Sequence, residues 1–182
     1  MRITILNGEP DPGSDFDAYV HAVAGHLAEA GHQVTTFDLR ALELKGCRGC
    51  WSCWVKTPGE CARRDDSAQV CRAAISSGLL VLASRVTMGF TSSLLKRAVE
   101  QLIPQLHPHV VIQGGEAHHR ARYARYPAFA LLLAPGPDAD AEDLELSAAL
   151  WTRLARNLKA PTVTTAVAGR PAEEVAHALA AA

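Results

Sequence analysis

The sequence predicts an α/β domain in which five parallel strands form one sheet with helices on both faces. Short apolar or β-branched runs, suited to buried strands, alternate with longer segments whose apolar residues recur at helical spacing. The 182 residues, 48% of them hydrophobic, suffice for one hydrophobic core. Residues 1–182 are therefore interpreted as a single domain.

The elements of the first half follow from apolar spacing and from residues that cap or end helices. An apolar run followed by Asn-Gly predicts a buried strand and a turn, and two later runs predict further strands. Helical spacing that begins at an aspartate and stops at a glycine predicts two helices. The predicted elements are a strand at 2–6, a helix from Asp15 or Asp17 to Gly31, a strand at 33–39, a helix from Asp66 and a strand at 79–83.

The second half continues the same alternation of strand and helix. Proline and glycine mark the ends of its segments, as in the Pro-Gly-Pro turn after the fourth strand. The predicted elements are a helix at 91–102, a strand at 128–134, a helix at about 140–158, a strand at 162–167 and an Ala-rich helix from Pro171. Two segments show no regular periodicity: a cysteine-rich loop at 40–66 and an irregular His/Arg/Tyr-rich insertion at 106–126.

Charge and hydropathy exclude several classes of protein. The 18 basic residues nearly balance the 19 acidic ones, so no net positive field attracts a polyanion and no nucleic-acid partner is expected. A glycine already at Gly8 leaves no room for a signal peptide, and no apolar run approaches the roughly 20 residues that span a bilayer. We therefore expect a cytoplasmic protein without a membrane partner.

Ligands of an open parallel sheet bind beyond the carboxyl ends of the strands, where the strand order reverses. The loops that leave these ends are 8–14, the cysteine-rich loop, 84–90 and 135–138. The functional site is expected among them.

Several motifs in these loops are specific as an ordered set. They are Ile5-Leu6-Asn7-Gly8-Glu9-Pro10, Phe37-Asp38-Leu39, the cysteine-rich loop, Asp65-Asp66, and Met88-Gly89-Phe90 followed by Leu94-Leu95-Lys96-Arg97. From Met1 to about Ala134 the chain resembles the flavodoxin-like NADPH-dependent FMN reductase family. The resemblance implies the strand order 2-1-3-4-5, FMN as cofactor, NAD(P)H as reductant, a small-molecule electron acceptor and a homodimer.

The resemblance also implies which residues hold the flavin, while no side chain is assigned as a catalytic acid or base. The implied cofactor-binding residues are Gly8, Pro10, Ser14, Asp15 and Phe16 in the first loop, Ser84, Arg85, Val86, Thr87, Met88, Gly89 and Phe90 in the third, Pro135 and Gly136 in the fourth, and Trp51 and Trp54 for stacking.

The first loop departs from the family pattern, which has a serine after the glycine and a basic residue after the proline. Four carboxylates stand here instead: Glu9, Asp11, Asp15 and Asp17. They disfavour a phosphate, although a helix N-terminus and Ser14 can still donate hydrogen bonds to one. Arg85 replaces the usual proline and can offset part of this acidity by contacting phosphate. A flavin-free domain is the alternative.

The cysteine-rich loop contains a C-x-x-C-x-x-C motif and a fourth cysteine after seven further residues. The candidate ligands are Cys47, Cys50, Cys53 and Cys61. Four thiolates suit an iron-sulfur cluster, as in the iron-sulfur flavoprotein branch that this loop resembles, or a tetrahedral zinc. A dithiol that exchanges electrons with the flavin, and thiols simply packed between Trp51 and Trp54, are the other interpretations.

The insertion at 106–126 combines arginines with tyrosines and histidines, including His118, His119 and Arg120. Such residues suit a nicotinamide nucleotide or another phosphate-bearing planar ligand, and paired histidines suit a metal. A solvated or interfacial segment is the simpler interpretation, because the insertion begins and ends at the edge of the sheet away from the flavin loops. The sequence thus predicts an NAD(P)H-dependent flavin oxidoreductase, with an electron carrier or metal-binding module as alternatives.

Overall fold

The computed structural model describes residues 1–181, so Ala182, the last residue of the predicted domain, lies outside the described residues. Across 1–181 no helix has the length and apolar character needed to cross a membrane. The elements are β1 (Arg2–Asn7), α1 (Asp15–Glu29), β2 (Gln33–Asp38), α2 (Ser52–Val55), α3 (Ser67–Ser76), β3 (Leu79–Thr87), β4 (Phe90–Thr91), α4 (Ser93–Glu100), β5 (Leu106–Gln113), β6 (Glu116–Ala121), β7 (Ala128–Pro135), α5 (Ala141–Asn157), β8 (Val163–Val167) and α6 (Ala172–Ala180).

The main sheet contains five parallel strands in the order β2-β1-β3-β7-β8, and the short β4 pairs antiparallel with β3. Numbered among the parallel strands alone, this order is 2-1-3-4-5. The flavodoxin-like doubly wound fold is therefore confirmed. The strand order reverses between β1 and β3, so the loops that follow these two strands leave the sheet side by side.

Helices cover both faces of the sheet, because successive side chains of each strand point to opposite sides. In β1, Ile3 and Ile5 are buried with α1 and α6, whereas Leu6 is buried with α3, α4 and α5. The apolar stripe of α4 also faces inward, with Leu95 and Ala98 at most 1% exposed. Because the core buries this stripe, α4 has little exposed apolar surface for a contact with a partner.

The predicted helices and strands are present, but two helix starts differ from expectation. The helix α1 is capped by Ser14, whose Oγ accepts from Asp17 N at 3.0 Å, and not by Asp15 or Asp17. Asp66 does precede α3, yet its carboxylate accepts from Glu43 N at 2.8 Å instead of capping the helix.

The expectation of an irregular segment at 106–126 was wrong for most of its length. The strands β5 and β6 form an antiparallel hairpin around Gly114 and Gly115, both with positive φ. The hairpin lies across the end of α5, where His119 N donates to Asn157 Oδ1 at 3.3 Å. Most of its side chains are partly or fully exposed, so the alternation of a half-buried strand is missing from the sequence.

Candidate functional site

Three loops meet where the strand order reverses, and hydrogen bonds through Ser92 join two of them. Gly8 N donates to Ala83 O at 2.8 Å, and Ser92 Oγ donates to Gly8 O at 2.6 Å. Ser92 N donates in turn to Ser84 Oγ at 2.9 Å. These bonds fix the first loop against the end of β3 and the start of α4.

Close backbone contacts require glycine at two positions of this site. A Cβ on Gly8 would lie 2.8 Å from both Leu95 Cβ and Ser92 Oγ. A Cβ on Gly136 would lie 2.5 Å from Val86 O, and Gly136 N donates to that same oxygen at 2.7 Å. The loop after β7 is therefore pressed against the end of β3.

The third loop is a tight turn between β3 and β4. Met88 and Gly89 both adopt positive φ, of 50° and 73°, and the Met88 side chain is 90% exposed. Met88 N donates to Asp138 Oδ2 at 3.0 Å, which ties the turn to the loop after β7. The turn presents backbone and one exposed apolar side chain at the carboxyl edge of the sheet.

In the first loop, the protein itself accepts the backbone hydrogen bonds. Pro10 and Pro12 have no N–H. The other five N–H groups all donate within the protein: Gly8 to Ala83 O, Glu9 to Asn7 Oδ1, Asp11 to Glu9 Oε1, Gly13 to Asp11 Oδ1 and Ser14 to Asp11 O. In an anion-binding loop such donors face the ligand. Here carboxylate oxygens of the loop take two of them.

Arg85 belongs to β3, and its side chain contacts the first loop. Its Nε is 3.3 Å from Glu9 Oε2, its Nη2 hydrogen-bonds Asp15, and its guanidinium lies 5.5 Å from the centroid of the Phe16 ring. Glu9 is only 3% exposed, so Arg85 supplies the charge that balances a buried carboxylate. Glu9 Oε2 accepts no hydrogen bond from the described residues despite this ion-pair contact.

A second ion-pair network lies behind the first loop, around the buried Asp17. Asp17 Oδ1 accepts from Asn7 Nδ2 at 2.6 Å and from Arg40 Nη1 at 2.8 Å, and His21 Nε2 lies 3.2 Å from Asp38 Oδ1. Burial alone would raise the pKa of Asp17, but the hydrogen bonds from Arg40 and Asn7 outweigh it and lower that pKa. This network stabilises the start of α1 against β1 and β2.

The geometry allows a test of the residues against FMN. The turn at Met88-Gly89 and the close-packed Gly136 fit a planar ring, because they offer fixed backbone at the edge where sheets of this topology bind ligands. The first loop does not fit a phosphate dianion. The N–H groups of 8–14 are engaged within the protein. Three of the loop's four carboxylates already pair with a guanidinium group, Glu9 and Asp15 with that of Arg85 and Asp17 with that of Arg40.

The structure gathers the predicted residues of the first, third and fourth loops but does not bring Trp51 and Trp54 to them. These two rings stack on each other, with centroids 4.8 Å apart, and Trp54 packs on His119. Trp54 Nε1 donates to Ile103 O at 3.3 Å, beyond the C-terminal end of α4. The third loop lies at the other end of α4, about 15 Å away at the helical rise per residue.

The four candidate cysteine ligands line one cavity of about 370 Å³, together with Trp51 and apolar residues of α4 and α5. Hydrogen bonding to Ser52 lowers the pKa of the exposed Cys50. Burial, and then the neighbouring cysteines, raise the pKa of Cys53. The loop therefore presents one reactive thiol and one protected thiol to the same cavity.

The cysteine sulfurs are not arranged as a closed zinc site. Zn–S bonds of ~2.3 Å would place the sulfurs about 3.8 Å apart. Over residues 1–181, the one group of three ligand side chains whose atoms lie within 4.8 Å of one another is Asp17, His21 and Asp38. Arg40 already neutralises that group, with Nη1 2.8 Å from Asp17 Oδ1. The arrangement fits an ion-pair network better than a metal site.

An apolar cleft of about 240 Å³ adjoins the third loop. Phe90 and Trp151 stack along it, with ring centroids 5.9 Å apart. Trp151 is 3% exposed, and its Nε1 has no hydrogen-bond partner among the described residues. The cleft therefore suits an apolar, planar molecule.

Sequence reasoning missed three participants: the buried Glu9 as the partner of Arg85, Arg40 as the partner of Asp17, and Trp151 in the cleft. For Arg40, a signal was present, because it directly follows the predicted second strand at 33–39. It therefore lies at the carboxyl edge of the sheet, where the predicted first helix begins. Trp151 lies in a predicted helix whose facing elements the sequence did not specify.

Comparison with known proteins agrees with this geometry. Residues 1–168 match the family described as NADPH-dependent FMN reductase. Two proteins named iron-sulfur flavoprotein, both from Archaeoglobus fulgidus, are 22% identical over 101 residues and 25% identical over 107 residues. These matches cover 56% and 59% of this chain and 48% of each relative, so the chain spans about half the length of the curated relatives it matches.

Solved structures share the fold at low identity. An NAD(P)H:quinone oxidoreductase from Methanothermobacter marburgensis has a TM-score of 0.65 at 15% identity, with 97% of this chain and 93% of that chain covered. An FMN-dependent NADH-azoreductase from Bacillus anthracis, solved with FMN, has a TM-score of 0.68 at 12% identity, with 99% and 98% covered. Because the family match spans most of the sequence, the chain belongs to the NADPH-dependent FMN reductase family.

Proposed function

We propose that this protein is an NAD(P)H-dependent flavin oxidoreductase that delivers electrons to a small-molecule acceptor. The observation that carries the proposal is the meeting of the loops 8–14, 84–90 and 135–138 where the strand order reverses, the position at which sheets of this topology bind ligands. Membership of the family, whose description names NADPH and FMN, supports the same chemistry.

A flavin, when bound, supplies the redox chemistry by accepting a hydride from the nicotinamide and passing electrons on. The chain's own residues position the ligand. The turn at Met88-Gly89 and the backbone at Gly136 would support the planar ring, and Ser92 keeps the first loop in register with them. We assign no side chain as an acid or base.

The cleft between Phe90 and Trp151 is the proposed site for the electron acceptor. It adjoins the third loop, and five of its seven lining residues are apolar. The other two, Lys96 and Glu100, form an ion pair with each other. A planar acceptor would pack beside the stacked rings of Phe90 and Trp151. Two of the similar structures are named as a quinone oxidoreductase and an azoreductase. Quinones and aromatic azo compounds are planar molecules.

The test is oxidation of NADH or NADPH by the purified protein with added FMN or riboflavin, followed by the loss of reduced-nicotinamide absorbance. We expect Gly136→Ala to lower the rate about tenfold or more, because its Cβ would displace the end of β3. Gly46→Ala is the matched control, since nothing lies within 4 Å of its Cβ position. Failure of every flavin to support NAD(P)H oxidation would refute the proposal.

A second candidate function is an electron carrier with an iron-sulfur cluster, favoured by the four cysteines that line one cavity. The donor set fits in number and in ligand type. We expect protein purified without oxygen to contain substoichiometric metal or none, because only the spacing of the cysteines and their shared cavity support a cluster. About four irons with sulfide per chain, abolished by Cys50→Ser, would establish the second candidate.

A further inference from the structure

The first loop carries the unusual chemistry of this site. A phosphate held after the first strand of such a sheet is held by backbone N–H groups and a cation. Here the N–H groups of 8–14 are already donated. The two guanidinium groups at the loop are also engaged, that of Arg85 by Glu9 and Asp15 and that of Arg40 by Asp17. A phosphate would have to break these contacts and then lie beside the carboxylates that made them.

The N–H groups of 8–14 all donate within the protein, but carboxylate oxygens of the loop can accept further hydrogen bonds. Glu9 is 3% exposed, and its Oε2 accepts no hydrogen bond from the described residues. Asp15 stands at the mouth of the loop and is 90% exposed at its side chain. Both carboxylates bring negative charge to the loop, and the exposed carboxylate of Asp15 can accept a hydrogen bond from a ligand hydroxyl but repels a phosphate dianion.

We infer that the first loop selects a flavin without the terminal phosphate, so that riboflavin is the preferred flavin of this site. The inference rests on the proposed function. The ribityl chain of riboflavin ends in a neutral hydroxyl, which donates to the exposed carboxylate of Asp15. FMN would place a dianion at the same point, with repulsion in place of that hydrogen bond.

The experiment measures the dissociation constants of riboflavin and FMN with the full chain, by quenching of flavin fluorescence. We expect riboflavin to bind about tenfold or more tightly than FMN, since one charge-assisted hydrogen bond gained against one repulsion is of that order. Asp15→Asn and Glu9→Gln should each reduce this ratio at least threefold, mainly by strengthening FMN binding. Asp15→Asn is exposed, so it tests the inference even where Glu9→Gln does not fold.

The matched control is Glu29→Gln, which removes an exposed carboxylate at the other end of α1 and should leave the ratio unchanged. Equal or tighter binding of FMN, or FMN retained through purification, would overturn the inference and leave the proposed function intact. A ratio unaffected by Asp15→Asn in a folded protein would also overturn it. If neither flavin binds and no NAD(P)H is oxidised, the proposed function itself fails.

Discussion

At the residue scale, the contact between Arg85 and Glu9 determines the charge of the first loop. Glu9 is almost completely buried, and a buried carboxylate without a cation destabilises a fold. Asp15, the other partner of Arg85, is 90% exposed and contributes little to stability. Arg85 is therefore the residue on which the loop depends most, with or without a ligand.

Arg85→Met should lower the free energy of unfolding by about 1–3 kcal/mol, because Glu9 then keeps its charge without a partner. Lys96→Met removes a cation from the exposed pair with Glu100 and should cost less than about 0.5 kcal/mol. Urea unfolding followed by circular dichroism measures both values. Equal losses for the two variants would contradict this role of Arg85.

Asp17 should make stability depend on pH in the acid range. Its pKa is lower in the folded chain than in the unfolded chain, because the hydrogen bonds from Arg40 and Asn7 outweigh burial. Its contribution is complete above the unfolded pKa of about 4 and is lost as pH falls through the folded pKa. Urea unfolding from about pH 5 to pH 2.5 should therefore show a smaller loss of stability for Asp17→Asn than for Glu29→Gln. Identical slopes would show that Asp17 is not responsible.

The cysteines should react in an order set by burial and hydrogen bonding. Cys50 is exposed with a pKa lowered by Ser52, whereas burial raises the pKa of Cys71 to about 12. Iodoacetamide at neutral pH should label Cys50 first and Cys71 last, as read by mass spectrometry of the folded protein. Ser52→Ala should slow the labelling of Cys50 alone. Rapid labelling of Cys71 would mean that its helix opens readily.

At the element scale, the parts of the sheet that are buried on both faces were the predictable parts. The strand β7 is a continuous apolar run because both of its faces are covered, and β1 differs from such a run between Ile3 and Leu6 by Thr4 alone. The hairpin was not predicted, although its Gly114-Gly115 pair is a turn signal. Its strands leave most side chains exposed, so burial imposes no alternation on the sequence.

The candidate site was predictable in position and less so in its contacts. The loops 84–90 and 135–138 follow from the strand ends alone, whereas the placement of Trp54 depends on how the cysteine-rich loop folds back along α4. Hydrogen bonds from Arg97 and Gln101 to the backbone of Leu44 and Lys45 hold that path along α4. The ring contact of Trp54 with His119 adds to them. The sequence shows none of these long-range contacts, so it could not place the two tryptophans.

The contact between the cysteine-rich loop and the hairpin should depend on Trp54. Its ring packs on His119 and Trp51, and its Nε1 bonds Ile103 O. Trp54→Ala should cost about 2–4 kcal/mol of stability and speed hydrogen exchange in β5 and β6. Trp51→Ala is the matched control, because Trp51 is 52% exposed and should cost less. If Trp54→Ala leaves hydrogen exchange in β5 and β6 unchanged, the stability of the hairpin does not depend on its contact with the cysteine-rich loop.

At the scale of the whole molecule, exposed apolar side chains concentrate on the hairpin and α5. Val110 and Ile112 are 60% and 74% exposed, and Leu146 and Leu150 on α5 are 54% and 55% exposed. The apolar stripe of α4 is buried in the core and is therefore unavailable for the contact of the expected homodimer. We therefore place the proposed dimer contact on the hairpin and α5.

Light scattering should report roughly twice the monomer mass of 19.4 kDa. Ile112→Asp should shift the protein to monomer by placing a charge in the contact. Val55→Asp alters a similarly exposed residue, at 76%, on the cysteine-rich loop and should leave the dimer unchanged. A monomeric unmodified protein at micromolar concentration would refute the dimer.

The bonds that Ser92 makes to Gly8 and Ser84 bear on how fast a ligand can enter. Because they already join the first loop to the end of β3, the site needs no loop closure on binding. Encounter between ligand and protein, and not a conformational step, should then limit the association rate constant. The backbone of the free and loaded forms should superimpose to within about 1 Å at this edge of the sheet.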